Sequence, residues 1–326
     1  MSQLSSHEKE YYLRHFSLPG FDLQTQLKLK NSKVLVIGSG GLGAPCLQYL
    51  AGAGVGNIGI VDSDIISVSN LPRQILFEYE NIGENKVDHA ARRIKSLNPF
   101  VNVQTFCTHI NIENADKILS GYDVIVDCTD NFDAKYLIND ICEIKQIPLV
   151  YASIFQFEGQ LAVFHHGQNK ETRLSYRDLF PEPPQSELRE NCSDAGVLGV
   201  LPGILGTMQA GEVIKLISGI GKVLNDSVMI YDSLSNQSSL LKLKKRVRTV
   251  INTNNPEYVE VESIVYSELI KLKDNLVNML LLDVRELEER EITSIGGMHI
   301  PLRDVPSRIN ELPKDKLIVC YCKSGS

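Results

Sequence analysis

The hydrophobic pattern changes period along the chain, and each change marks an element. Val34, Leu35, Val36 and Ile37 form an unbroken apolar run ended by glycines, which predicts a parallel strand buried on both faces. A helix over 42–53 follows, then a second apolar strand over 58–61 that ends in Asp62. The alternation continues with a helix over 84–97, a strand over 101–107, a strand over 123–127, a helix over 133–145 and a strand over 148–152. Such alternation predicts a doubly wound, Rossmann-like α/β sheet. Ahead of it, residues 1–30 read as a helical arm broken at Leu18-Pro19-Gly20. Residues 165–195 turn polar and carry Pro181, Pro183 and Pro184, which predicts a long mobile loop. An apolar, Gly-rich segment over 197–206 then enters a helix reaching 217, and strands over 227–231 and 239–243 close a domain spanning 31–248. Residues 249–258 read as a linker. A second α/β pattern over 259–326 follows, with a helix over 263–273 and strands over 279–282 and 317–320.

Composition narrows the class of molecule. Hydrophobic residues make up 43% and charged residues 22%, the profile of an ordinary globular chain. A net charge of -7, with both signs mixed, argues against nucleic acid as the partner, because phosphate binding favours a concentrated basic face. The basic cluster over 242–248 reads as the solvated face of a strand end. No run reaches the roughly 18 apolar residues of a membrane span, and the N-terminus lacks a signal pattern. The seven cysteines are odd in number and irregular in spacing, so reduced thiols and a cytoplasmic location, without a membrane partner, are expected.

The chemistry begins at the first strand's end. Gly38-Ser39-Gly40-Gly41-Leu42-Gly43 fits G-x-G-x-x-G between a strand and a helix. Gly38, Gly40, Gly41 and Gly43 let backbone approach phosphates, and the helix start supplies N–H donors. Asp62 lies about 20 residues on, where an acid accepts ribose hydroxyls. NAD, FAD and ATP sites share this signal. A triphosphate is favoured by Asn70-Leu71-Pro72-Arg73-Gln74, by Lys86 at a helix start, and by Asp130 in Cys128-Thr129-Asp130-Asn131 at a strand end. The two cations suit phosphates, and the carboxylate suits Mg²⁺. Each residue also has a plain structural reading, Arg73 and Lys86 as surface charges and Asp130 as a helix N-cap.

Together these residues resemble the MoeB/ThiF/HesA adenylyltransferases, bacterial relatives of ubiquitin-activating enzymes. Glu158-Gly159-Gln160, Phe180-Pro181-Glu182-Pro183-Pro184, Asn191-Cys192, the segment 195–199 and Gln209-Ala210 extend the match over about residues 8–245. The resemblance implies an ATP site lined by Gly41, Asp62, Asn70, Arg73, Lys86, Asp130 and Asn131, with Mg²⁺ on Asp130. It implies adenylation of the C-terminal Gly-Gly carboxylate of a ubiquitin-like sulfur carrier resembling MoaD or ThiS. It also implies a homodimer, in which Arg14 reaches the partner's site. A non-catalytic carrier-binding scaffold and an NAD(P)-dependent oxidoreductase are the alternative readings.

Relatives commonly carry two C-x-x-C pairs that hold zinc. Here the first pair's position reads Ser175-Tyr176-Arg177-Asp178, and no cysteine lies between Cys192 and Cys320, so no zinc is expected. Cys46, Cys107, Cys128 and Cys142 read as small buried hydrophobes. Cys192 resembles the family cysteine that bonds covalently to the activated carrier. Leu282-Asp283-Val284-Arg285-Glu286, Gly296-Gly297-Met298-His299-Ile300-Pro301 and the segment 318–326 resemble an incomplete rhodanese domain. Cys322 matches its nucleophile, and Cys320 reads as packed at a strand end. A rhodanese loop lowers its thiol's pKa with N–H groups and a following helix. The arginine and helix of that loop are missing before residue 326, so the expectation is a sequence cut short.

Overall fold

Val34–Ile37 are all buried, as a strand flanked on both faces must be, and β1 (Lys33–Ile37) lies at the heart of the first sheet. The computed structural model describes residues 3–183, 196–246, 269, 278–285, 287, 290, 294–301, 304–313 and 315–321. The chain divides into two units, Met1–Thr253 and Asn254–Ser326.

The first unit holds β1, β2 (Asn57–Val61), β3 (Asn102–Phe106), β4 (Val124–Asp127), β5 (Leu149–Phe155), β6 (Glu158–Phe164), β7 (Ser227–Asp232) and β8 (Gln237–Lys242). Their order across the sheet is β3-β2-β1-β4-β5-β6-β7-β8. The first five run parallel, and β6, β7 and β8 each pair antiparallel with the strand before. Strand order therefore reverses between β1 and β4. In open α/β sheets that reversal opens a crevice outside the strands' carboxyl ends.

Helices α1 (Ser6–Tyr11) and α2 (Leu23–Asn31) form the arm; α3 (Gly43–Ala53), α4 (Lys86–Leu97), α5 (Ala115–Leu119), α6 (Phe132–Lys145) and α7 (Tyr176–Leu179) follow. Helix α8 (Val200–Ser218), 19 residues long, corrects one expectation, because its length and apolarity would suffice to cross a membrane. It packs instead on α2, α3, β5 and β6, burying Leu201, Leu205, Ala210 and Val213. Its apolarity is that of a helix covered on several sides.

Two further expectations change. Strand β6 begins with the polar Glu158-Gly159-Gln160, which hid it in the hydrophobic pattern. The expected mobile loop is, over 165–183, a packed segment containing α7, with Leu174, Ser175, Tyr176 and Asp178 buried. Its polar side chains satisfy one another. Asn139 Oδ1 accepts from Ser175 Oγ at 3.0 Å and Tyr176 N at 2.9 Å, and Asp140 takes Arg177 Nε and Nη2, both at 2.7 Å. Residues 184–195 of that loop and the linker 249–258 lie outside the described residues.

In the second unit β9 (Met279–Asp283) pairs parallel with β10 (Met298–His299) and β11 (Leu317–Tyr321), and α9 (Val305–Arg308) precedes β11. Asp283 is fully buried and accepts Arg285 Nε and Nη2 at 2.9 Å each, with the Tyr321 hydroxyl 2.7 Å away. Cys320 is exposed rather than packed, on β11, an outer strand of this sheet among the described residues. The expected helix over 263–273 lies outside the described residues apart from residue 269.

Candidate active site

The crevice between β1 and β4 is built around the glycine turn. Gly38 leaves β1 with φ at +91°, and a Cβ there would meet the Cys128 carbonyl oxygen at 2.7 Å. A Cβ on Gly43, the first residue of α3, would overlap the Gly38 carbonyl oxygen. These two positions demand glycine, and they bring the helix start against the sheet. The start of α3, which has no side-chain cap, thus lies at the turn, where a helix N-terminus favours phosphate.

Asp62, just beyond β2, shapes this turn. Its Oδ2 accepts from Ser39 N and Ser39 Oγ, each at 2.8 Å, and its Oδ1 accepts from Asp64 N at 2.9 Å. Asp64 in turn holds Lys86. The Lys86 ammonium, 4% exposed at the start of α4, lies 2.7 Å from Asp64 Oδ2, and Lys86 N donates to Asp64 O at 3.0 Å. Asp64 is a site residue that the sequence reading passed over; its signal was its place two residues after the strand-end acid.

The 70–74 run folds back on the same turn. Asn70 O accepts from Arg73 N and Gln74 N, and Asn70 Oδ1 accepts from Ser67 N at 3.1 Å. Arg73 Nη1 donates to Ser69 O at 2.9 Å, so its guanidinium keeps its other donors for a ligand. Gln74 is buried against Gly40, with its Oε1 unpartnered among the described residues.

Across the crevice, Asn131 caps α6 by accepting from Ala134 N at 2.8 Å. Asp130 is therefore not the cap. It is exposed and makes no hydrogen bond or ion pair among the described residues. Beneath it, fully buried Asp127 pairs with Lys135 Nζ at 3.0 Å. Neither partner figured in the sequence reading.

The structure thus gathers Gly38–Gly43, Asp62, Asn70, Arg73, Lys86, Asp130 and Asn131 around one crevice. Arg14 lies elsewhere. The arm is pinned to the far end of α3, where Asn98 Nδ2 bridges the Tyr12 hydroxyl and Ala51 O, and Gln26 Nε2 donates to Ala53 O at 2.9 Å. Arg14 is exposed there. Cys192 and Cys322 lie outside the described residues. Cys46, Cys128 and Cys142 are buried, and burial pushes the Cys128 and Cys142 thiols well up. Cys107 corrects its expected burial. It follows edge strand β3 and is exposed.

At residues 175–178, where the resemblance would put the first C-x-x-C pair, Asp178 Oδ2 accepts from Ser175 N at 2.9 Å and Asp178 Oδ1 from Arg246 N at 2.8 Å, with Lys245 Nζ 3.7 Å away. Ser175 Oγ is spent on Asn139. A hydroxyl and a carboxylate already engaged by protein donors do not fit a tetrahedral thiolate centre.

A family model described as the ThiF family matches residues 12–250. A protein from Mycobacterium tuberculosis, "Probable adenylyltransferase/sulfurtransferase MoeZ", is 36% identical over 341 residues, covering 99% of this chain and 87% of that protein. The "Sulfur carrier protein adenylyltransferase" of Thermus thermophilus is 42% identical over 255 residues, covering 78% of this chain and 94% of that one. Among solved structures, E. coli MccB with ATP superposes with a TM-score of 0.63 over 74% of this chain and 73% of its own, at 21% identity, a likeness of fold.

Proposed function

The chain belongs to the ThiF family, and from that premise we propose that it adenylates the C-terminal carboxylate of a ubiquitin-like sulfur carrier. The observation that carries this reading is one crevice holding a glycine turn, the cations Arg73 and Lys86, and the free carboxylate of Asp130. A Gly-Gly carboxylate is ionised at neutral pH and needs no general base. One of its oxygens attacks the α-phosphorus of ATP. The bond to the bridging oxygen breaks, pyrophosphate leaves with that electron pair, and an acyl-adenylate remains.

The protein's task is positioning and charge stabilisation. The turn and the start of α3 receive phosphate oxygens. Asp62, which uses one lone pair of Oδ1 and two of Oδ2 on protein donors, keeps capacity for a ribose hydroxyl. Lys86 is held in place by Asp64, and Arg73 offers its remaining donors to the triphosphate. Asp130 would hold Mg²⁺ together with phosphate oxygens, and its unengaged carboxylate fits that task. When bound, the ion supplies charge neutralisation on the triphosphate.

A homodimer completes the reading. The arm fixes Arg14 near the far end of α3, about 16 Å along the helix axis from the glycine turn at 1.5 Å per residue, so a second copy is the natural recipient of its charge. Covalent capture of the carrier by Cys192 and sulfur delivery from Cys322 are further parts of the proposal, in molybdopterin or thiamine synthesis or a related sulfur-transfer route in the cytoplasm.

Carrier-dependent ATP–pyrophosphate exchange tests the reading. Exchange with a MoaD- or ThiS-like carrier, abolished by Asp130→Ala, is the expected result. Tight ATP binding without exchange on any carrier would turn the assignment towards a scaffold. Mixing Arg14→Ala with Asp130→Ala subunits should restore part of the exchange, and two inactive variants that stay inactive when mixed would overturn the shared site.

A further inference from the structure

One buried ion pair lies just under the crevice and touches no expected ligand. Asp127 ends β4 with 1% of its surface exposed, and Lys135 lies in the second turn of α6 with 4% exposed. Burying two charges costs several kcal/mol each in desolvation, and apolar residues of like volume often serve stability as well. A pair kept in such a place invites a reason beyond stability.

Its hydrogen bonds supply one. Asp127 Oδ2 accepts from Lys135 Nζ at 3.0 Å, and the same ammonium donates to Ala152 O at 3.0 Å on β5. Asp127 Oδ1 accepts from Thr129 N at 2.9 Å and Thr129 Oγ1 at 2.6 Å. Gln209, from α8, donates through Nε2 to Asp127 O at 2.8 Å and accepts from Cys128 Sγ at 3.3 Å. Cys128 N donates to Ile37 O at 2.8 Å, beside the glycine turn, and Asn131 caps α6. Residues 127, 128, 129 and 131 are therefore tied to four different elements. Asp130 alone among them is left unengaged by the described residues and exposed.

The electrostatics point the same way. Lys135 neutralises Asp127, so this strand end presents one uncompensated carboxylate to the crevice instead of two. We infer that Asp127 and Lys135, with Thr129 as their link, are positioning residues that set where the Asp130 carboxylate stands and keep it the sole anion offered to a cation there. The inference rests on the adenylation reading, in which Asp130 serves the metal–triphosphate complex.

Four variants test it: Asp127→Asn/Lys135→Met, which removes both charges at similar volume, Lys135→Met, the conservative Lys135→Arg, and the mild Thr129→Val. Three readouts are taken on each. They are ATP affinity in EDTA, Mn²⁺ binding in the presence of a non-hydrolysable ATP analogue followed by electron paramagnetic resonance, and the Mg²⁺ dependence of carrier-driven exchange. The double variant should keep its metal-free nucleotide affinity within about twofold while half-saturation by metal rises about 10–100-fold, the usual effect of disturbing a metal's outer-shell partners. Thr129→Val should show a smaller shift in the same direction, and Lys135→Arg should restore the wild-type value. A folded double variant with unchanged metal dependence would overturn the inference, and so would parallel loss of metal-free nucleotide binding. If the double variant does not fold, an unshifted Thr129→Val decides against it. Absence of exchange in the wild type would count against adenylation itself, while the Mn²⁺ titration would still report on the loop.

Discussion

Replacing Asp62 by asparagine separates its structural work from its charge. The carboxylate serves donors with both oxygens, Ser39 N and Oγ on Oδ2 and Asp64 N on Oδ1. A carboxamide has one acceptor oxygen, so its NH₂ must face one of the two sets. Ser39 is fully buried and its donors have no water to turn to. The oxygen will therefore stay with Ser39, and the NH₂ will confront Asp64 N–H. A lost hydrogen bond to a charged acceptor costs about 1.5–3 kcal/mol. At about 2–4 °C per kcal/mol for a domain of this size, the melting temperature should fall by about 3–12 °C. Asp64 is also the partner of Lys86. Displacing it loosens that ammonium, and ATP affinity should drop by about tenfold or more, since 1.4 kcal/mol is a factor of ten. Calorimetric unfolding and ATP titration on the same preparation measure both effects. An Asp62→Asn protein as stable as the parent within about 0.5 kcal/mol, a surface-substitution effect, and with unchanged ATP affinity would refute the argument that this carboxylate organises the turn.

Three further outcomes follow from the geometry. Gly43→Ala puts a Cβ onto the Gly38 carbonyl oxygen, so the turn must shift; ATP binding by calorimetry should be lost or severely weakened. Asp178→Ala strands the buried Ser175 N–H and frees Arg246 N; at about 1–3 kcal/mol for an unsatisfied buried group, scanning calorimetry should show a fall of about 2–12 °C, and a chelator should leave the wild-type melting temperature unmoved. In the second unit, paired hydrogen bonds from Arg285 hold the Asp283 carboxyl far below the usual carboxylate range despite its burial, with the Tyr321 hydroxyl assisting. A lowered native pKa means its stabilisation is full above the unfolded value near 3.9 and fades as pH falls below it towards the native value; Asp283→Asn should flatten that acid limb, read from hydrogen exchange of β9 and β11 amides.

How much of this was legible depends on where each signal lies. β1, β2 and β4 are short apolar runs because they are covered on both faces, and the glycine turn is local in sequence. Both could be read without coordinates. The partners of Asp127 could not. Lys135 lies eight residues on and Gln209 lies 82 on, and nothing in their spacing distinguishes a buried lysine from a surface one. The segment 165–183 misled for a related reason. Its polar residues read as solvated, but Asn139, Asp140, Ser175 and Arg177 find one another across 36 to 37 positions. Polarity reports exposure only when a side chain's partner is water. Asp64 shows the opposite case, since its neighbour Asp62 was noticed and its own role needed only the fold of α4 back onto β2.

The fastening at Asp178 changes what the protein depends on in a cell. A sulfur-bound metal fails when zinc is scarce or when peroxide attacks its thiolates. A carboxylate gripping backbone amides and a lysine is indifferent to both. Its Lys245 contact weakens instead in concentrated salt. Growth on a zinc-depleted or oxidising medium is thus where a strain bearing this enzyme should keep its sulfur chemistry when one relying on a thiolate-bound counterpart does not.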